Sequence, residues 1–261
     1  MLSVVFIFNG CSTKTQVPQA SNSINVIASA SNGDDIEDEF LDEFEQEFQA
    51  QEVYGPLESY NRVMTNFNDK LYIYVLKPLS NGYKSVTTKG VRDSVGNFFH
   101  NLLYPIRLVN NMLQGKFSNS AEETGRFIIN STIGLLGLFD VAKSQFGLEA
   151  HNEDFGQTLG YWGVGSGPHI VLPFFGPSNL RDAFSLYPNS LLNPIDYHQN
   201  REYNLASNSI ESLAIRSFEK VNSVAQSNNA YELMKKDAID LYPYLRDVYE
   251  QHREKLIKDE N

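Results

Sequence analysis

The chain has 261 residues, 41% of them hydrophobic and 12% aromatic, which is room for one large or two small domains with a sizeable core. That composition excludes a chain disordered throughout, and the irregular spacing of its glycines excludes collagen. The single cysteine, Cys11, excludes an internal disulfide and any Cys-x-x-Cys metal or redox site. Net charge is −11, so the basic face of a nucleic-acid binder is missing and no nucleic-acid partner is expected. Ten of the 32 acids fall in residues 34–52, a stretch without Lys or Arg; the remainder is almost neutral, with 22 acids against 21 bases.

Residues 1–11 are a short apolar run ending in Asn9-Gly10-Cys11. The run is similar to the end of a bacterial lipoprotein signal, in which cleavage leaves Cys11 as a lipidated N-terminus. A frayed apolar end with an incidental cysteine is the alternative. Residues 12–33, rich in Ser, Thr, Asn and Ala, read as a flexible tether. Residues 34–53 read as an acidic amphipathic segment, with Phe40, Phe44 and Phe48 at steps of four. Its apolar stripe suits packing on the body or docking to a basic partner. No stretch reaches the ~18 apolar residues of a membrane-spanning helix.

From Pro56 the apolar residues Leu57, Tyr60, Met64, Phe67, Leu71 and Tyr74 recur at three and four, which predicts a helix ended by Pro78. Residues 79–90 read as a connection. Val91, Val95, Phe98 and Leu102 predict a second helix closed by Pro105, and Ile106, Val109 and Leu113 a short third one. Ser120 with Glu123 has the spacing of a capping box. Phe127–Val141 is apolar on nearly all sides, so it should be a buried core helix or touch lipid. Residues 147–194 concentrate Gly, Pro and aromatics and predict a compact irregular region, with a short strand or hairpin around Ile170–Leu172. Helices return over Ile210–Val224 and Tyr231–Leu256, the latter kinked by Pro243. The body is therefore mainly α and a single domain, and no internal repeat is present.

Motifs of catalysis fail on context. Gly163-Val-Gly165-Ser-Gly167 has the wrong third spacing for a dinucleotide loop and is followed by Pro168, not a helix. Ser166 has Val164 and Pro168 where a nucleophile elbow needs glycines. The five histidines are scattered, so neither a metal nor another cofactor is expected. Arg126, Arg181 and Asp182 read as structural ion-pairing groups.

Several ordered stretches resemble the MlaA (VacJ) lipoproteins. They are Gly55-Pro-Leu-Glu58-Ser-Tyr60-Asn61-Arg62 with Asn66-Phe67-Asn68, then Asn110-Asn111 with Leu113-Gln114-Gly115. Arg126-Phe127-Ile-Ile-Asn130-Ser-Thr132-Ile-Gly134 and Gly137-Leu-Phe139-Asp140-Val-Ala142 follow. Phe155–Gly160, Gly163–Pro168, Leu172–Ser178 and Leu180-Arg181-Asp182 complete the set, so the similarity covers residues 54–200, with residues 201–261 as C-terminal helices packed on that core.

The resemblance implies a flattened helical ring lipid-anchored in the outer membrane, embedded in the inner leaflet and facing the periplasm. Such a protein passes mislocalised phospholipid from the outer leaflet through an amphipathic channel. Its implied partners are a trimeric porin and a soluble periplasmic lipid carrier that feeds an inner-membrane ABC transporter. It is not an enzyme. The apolar and glycine content makes Ile133, Leu135, Leu136, Phe139, Tyr161, Trp162, Gly163, Gly165, Gly167, Phe174 and Phe175 candidates for the lipid path. Asn66, Phe67 and Asn68 are candidates for setting the state of the channel. A porin scaffold and an outer-membrane phospholipase are the competing readings. Co-purified phospholipid would separate transport from a scaffold, and lysophospholipid would mark the enzyme.

Overall fold

The computed structural model describes Gly55 and residues 57–199, 201–227 and 230–258. The signal ending at Cys11, the tether and the acidic segment lie outside the described residues. Helix α1 (Glu58–Leu71) passes through one π-helical turn (Tyr72–Leu76) directly into α2 (Lys77–Val86). The expected stop at Pro78 and the connection after it are therefore corrected. In the π turn the Lys77 amide donates to Tyr72 O, one residue further back than in an α-helix. That widening lets the Pro78 ring follow without the clash and lost bond that break an ordinary helix. The break comes instead at Thr87-Thr88, where the Thr88 hydroxyl caps α3 (Lys89–Leu102).

Pro105 lies in the first turn of α4 (Tyr104–Leu113), where a missing N–H is harmless. Helix α5 (Phe117–Thr132) starts three residues before Ser120, so the capping box is not formed. The Ser120 hydroxyl donates to Lys116 O, and Glu123 is fully buried. The expected core helix over 127–141 is also corrected. Regular helix ends at Thr132, and 133–139 is a series of turns leading to α6 (Val141–Phe146), capped by Asp140. Leu135 (φ 52°), Leu136 (φ 60°) and Gly137 (φ 91°) are left-handed, a conformation no helix can continue through. Gly137 is obligatory on a second count, since a Cβ there would lie 2.5 Å from that of Asn101.

The region 147–194 is less irregular than its composition suggests. Helix α7 (Phe155–Tyr161) opens with a capping box between Asp154 and Gln157. Strands β1 (His169–Leu172) and β2 (Gly176–Asn179) pair antiparallel, His169 opposite Asn179 and Leu172 opposite Gly176, as the expected hairpin. Asn179 then caps α8 (Leu180–Leu192), which carries Pro188 in its interior. Helix α9 (Ser209–Gln226) follows. The expected kinked helix over 231–256 is two helices, α10 (Ala230–Asp237) and α11 (Leu241–Ile257). Pro243 sits in the first turn of α11, where it starts the helix rather than bending it.

Helix α4 packs on α5, α7 on α8, α9 on α2 and α3, and α11 on α7, α1 and β2. What they bury is unusual. Among the described residues seven hydrophobic side chains are buried, Tyr242, Phe99, Ile195 and Val171 the largest, against 25 polar or charged ones. The helical periods read from the sequence are present, but many of their faces point the other way. Helix α5 buries Ser120, Glu123, Arg126 and Asn130 and exposes Phe117 and Ile128. Helix α8 buries Arg181, Asp182 and Ser185 and exposes Phe184 and Tyr187. Periodicity identifies a two-faced helix without saying which face is inside.

Candidate functional site

The polar interior is organised as closed ion-pair clusters. Arg107 of α4 donates from Nε to Glu123 of α5 at 2.7 Å and from Nη1 to His100 O at 2.7 Å. Burial holds Arg107 below the usual arginine value, against the pull of Glu123. Arg126 donates to Asp140 at 2.9 Å and to Leu148 O. Asn130 donates to the same Asp140 at 2.9 Å and accepts from Ala142 N. Burial opposes ionisation of Asp140, and Asn130 and Arg126 outweigh it, so its carboxyl stays below the ordinary range.

A second cluster joins α7, α8 and α11. Arg253 reaches Asp182 with Nε (2.9 Å) and Asp154 with Nη1 (2.7 Å). Asp182 also accepts from Tyr249 at 2.7 Å and Arg181 at 3.0 Å. Burial acts against the Asp182 charge, but Arg253, Arg181 and Tyr249 together hold its pKa down. Burial and the neighbouring Asp182 push the Tyr249 phenol up, so it remains a donor. Only glycine fits at 156, where a Cβ would come within 2.3 Å of Asp182 Oδ1. The charged groups of the two clusters pair with one another, and only Arg126 Nε among them is buried without a hydrogen-bond partner. Among the described residues no set of three His, Cys, Asp or Glu could hold a metal.

The hairpin is fixed to α1 by two amides. Asn61 donates to His169 O (3.0 Å) and accepts from Val171 N (2.8 Å). Asn68, seven residues on and therefore on the same face, donates to Leu172 O (2.9 Å) and accepts from Phe174 N (2.8 Å). Each side chain thus pairs with the open edge of β1 as a neighbouring strand would. Phe67 meets Phe174 edge-on, with centroids 5.4 Å apart. Asn66 points outward.

The candidates from sequence fall into separate places. Ile133, Leu135, Leu136 and Phe139 stand exposed on the left-handed turn, which rests on α3 through Asn97 and Leu138 O. They are not the buried core that was the alternative. Tyr161 and Trp162 are half-exposed at the end of α7, with Trp162 Nε1 donating to Leu113 O at 3.2 Å. Gly163 (φ 89°) and Gly167 (φ 68°) make the bends of the following loop, while Gly165 has open space around it. Phe174 and Phe175 form the exposed tip of the hairpin, Phe174 with φ 68°. The structure thus brings Phe67 and Asn68 to Phe174.

Phe175 alone of the candidates lines a cavity of about 430 Å³ between α8 and α9. Leu186, Tyr187 and Leu213 are apolar parts of its wall, and Asp196 and Arg216 are charged parts. A second cavity, of about 550 Å³, is bordered by the candidate Gly167 together with His169, Arg181, Glu250 and Arg253. The sequence reading missed Asn61, Asp196, Arg216 and Arg253. Only Asn61 had a legible signal, its seven-residue spacing from Asn68.

Comparison with known proteins bears on these features. A family model described as MlaA lipoprotein matches residues 53–256. The chain belongs to the MlaA family. An uncharacterized protein of Rickettsia bellii is 34% identical over 210 residues, 80% of this chain and 79% of that one. The intermembrane phospholipid transport system lipoprotein MlaA of Escherichia coli K12 is 39% identical over 133 residues, 49% of this chain and 52% of that protein. The match thus spans about half the length of that MlaA. A solved structure reported as the structural basis for maintenance of bacterial outer membrane lipid asymmetry aligns with TM-score 0.65 and 29% identity, covering 78% of this chain and 98% of the other. The MlaA match includes Asn61, Asn68, both ion-pair clusters and the cavity between α8 and α9.

Proposed function

We propose that this MlaA-family chain is an outer-membrane lipoprotein, anchored through Cys11, that takes mislocalised phospholipids from the outer leaflet and passes them to a periplasmic carrier. The observation that carries the reading is the inverted surface. Apolar residues such as Phe117, Ile128, Leu136, Phe184 and Tyr187 face outward, while the interior is filled with paired charges and amides. In water such a surface would associate or aggregate. In lipid it is the favourable arrangement, because acyl chains cover the apolar side chains and most of the buried polar groups pair with one another within. No described helix is long and apolar enough to cross a membrane. The reading is accordingly of a chain seated in one leaflet. The names of the MlaA relatives and of the solved structure, which speak of phospholipid transport and lipid asymmetry, support the same conclusion.

On this reading the transporter does no covalent chemistry. Phospholipid that slides along an apolar wall keeps its acyl burial, so the barrier is mainly headgroup desolvation. The 133–139 turn, Tyr161, Trp162, the loop through Gly163, Gly165 and Gly167, and the hairpin tip at Phe174 and Phe175 line or border that path. The Asn66-Phe67-Asn68 segment sets its state through the hairpin it holds. A trimeric porin, and a soluble carrier serving an inner-membrane ABC transporter, are the partners.

The test is outer-leaflet phospholipid on intact cells, read with an impermeant headgroup label. Deleting the gene should raise the signal, and the wild-type gene should restore it. Cys11→Ala should not restore it. Gly165→Leu should fold, since nothing lies within 4 Å of its Cβ position, yet fail to restore lipid removal. An unchanged signal in the deletion strain would sink the transport reading in favour of a porin scaffold.

A further inference from the structure

The cavity between α8 and α9 has features that lipid passage alone does not require. Helix α9 turns one face into it, Ser209, Ser212, Leu213 and Arg216, at the three- and four-residue steps of a single helical face. Phe175 and Leu186 contribute apolar wall opposite in sequence and element. Two opposite charges border the same space. Arg216 Nη2 donates to the buried carboxylate of Asp196, while the Arg216 side chain stays about 35% exposed where it lines the cavity. The guanidinium therefore retains donor capacity beyond its ion pair.

An arginine alone would favour any anionic headgroup, and an aspartate alone would repel one. Adjacent opposite charges instead complement a dipolar group, with phosphate on the guanidinium and ammonium on the carboxylate. The hydroxyls of Ser209 and Ser212 add donors suited to phosphate oxygens, and Phe175, Leu186 and Leu213 suit the start of the acyl chains. At about 430 Å³ the cavity suits a headgroup and glycerol better than a whole diacyl lipid. We propose that Arg216 and Asp196 together read a zwitterionic phosphoethanolamine headgroup, Arg216 binding the phosphate and Asp196 the ammonium. This inference rests on the transport reading above and adds the headgroup class that the path prefers.

The full-length lipidated protein would be reconstituted into vesicles of equal phosphatidylethanolamine and phosphatidylglycerol, then re-purified and its retained lipid weighed by mass spectrometry. Wild type should be enriched in phosphatidylethanolamine over the vesicle. Asp196→Asn should lose that enrichment while keeping its total lipid. Arg216→Gln should lower total lipid by about threefold, the worth of a part-exposed charge pair. Because both changes remove an ion pair, Ser209→Asp provides an independent arm. Its new acid sits in the first turn of α9, where the helix end favours it, and leaves the pair intact. It too should lower retained lipid. Wild-type protein carrying lipid in vesicle proportions, or variants indistinguishable from wild type, would overturn the headgroup assignment and leave transport standing. Wild-type protein that retains no lipid would overturn both.

Discussion

Asp182 holds four donors in a space from which water is largely excluded. The donors are Arg181 on α8 and, from α11, the Tyr249 hydroxyl and two nitrogens of Arg253, Nε and Nη2. Asp182→Asn keeps the shape and removes the charge, leaving the buried Arg253 with Asp154 as its remaining counter-charge. Unpairing one member of such a cluster costs about 3–5 kcal/mol. The variant should therefore unfold several degrees lower in detergent, as thermal denaturation would register. His100 makes a different prediction. Burial and the neighbouring Arg107 push its imidazole from 6.5 down to about 3. The folded state then keeps it neutral while the unfolded chain takes up a proton. Its contribution is intact above pH 6.5 and is lost as the pH falls toward 3. Asp140 and Asp182, held below the usual 3.8, keep theirs above that value and lose it as the pH falls from 3.8 through their lowered pKa values. A His100→Asn variant should show a flatter melting temperature between pH 6.5 and 4 than wild type; identical slopes would refute the assignment.

At the scale of elements, the pair Asn61 and Asn68 couples α1 to the hairpin. Replacing Asn68 by Ala leaves the Phe174 amide and Leu172 carbonyl without their partner, a loss of about 1–3 kcal/mol where the groups stay dry. Amide exchange at Phe174 should speed up by an order of magnitude or more, while Val171, held by Asn61, remains protected. Equal acceleration at both would mean that the hairpin opens as a whole. The elements also mark where reading a sequence succeeds. The periods of α1, α3, α4 and α9 were legible because apolar and polar residues alternate at helical spacing whichever side is buried. Pro78, Ser120 and Pro243 misled because each rule of helix punctuation depends on where a helix starts, and a π turn, an earlier start before Ser120 and a later one before Pro243 change that. In the stretch 133–139 apolar content left a buried core helix and contact with lipid as alternatives, and left-handed Leu135 and Leu136 end the helix and hold it open to the outside.

For the molecule as a whole, the inversion of surface and interior is the property that local pattern could not reveal. The ordered MlaA-like motifs indicated the family, yet its site candidates were chosen by apolar and glycine content. That criterion found the outward surface and missed Arg216 and Asp196, whose significance comes from a cavity formed by distant segments. The molecule carries a single tryptophan, Trp162, half-exposed at the end of α7. Reconstituted in bilayers containing lipids brominated at defined depths, its fluorescence should be quenched most by label near the headgroup boundary, the level that tryptophan prefers. Quenching equal to that of a soluble control would contradict a lipid-facing surface.

The π turn between α1 and α2 separates two kinds of shortening in this helix. A π turn contains one residue more than its α-helical equivalent, so it is a stretch of slack in an otherwise rigid rod. Removing a residue within Tyr72–Leu76 would draw in that slack and keep α2 in phase with α1, while Asn61 and Asn68, both upstream, keep their seven-residue spacing. Removing Asn66-Phe67 has no slack to draw on. It reduces the spacing of the two amides from seven residues to five, swings Asn68 to roughly the opposite side of the helix, and releases one end of β1. Two deletions only a few residues apart should therefore differ in kind, the first preserving Phe174 exchange protection and the second abolishing it.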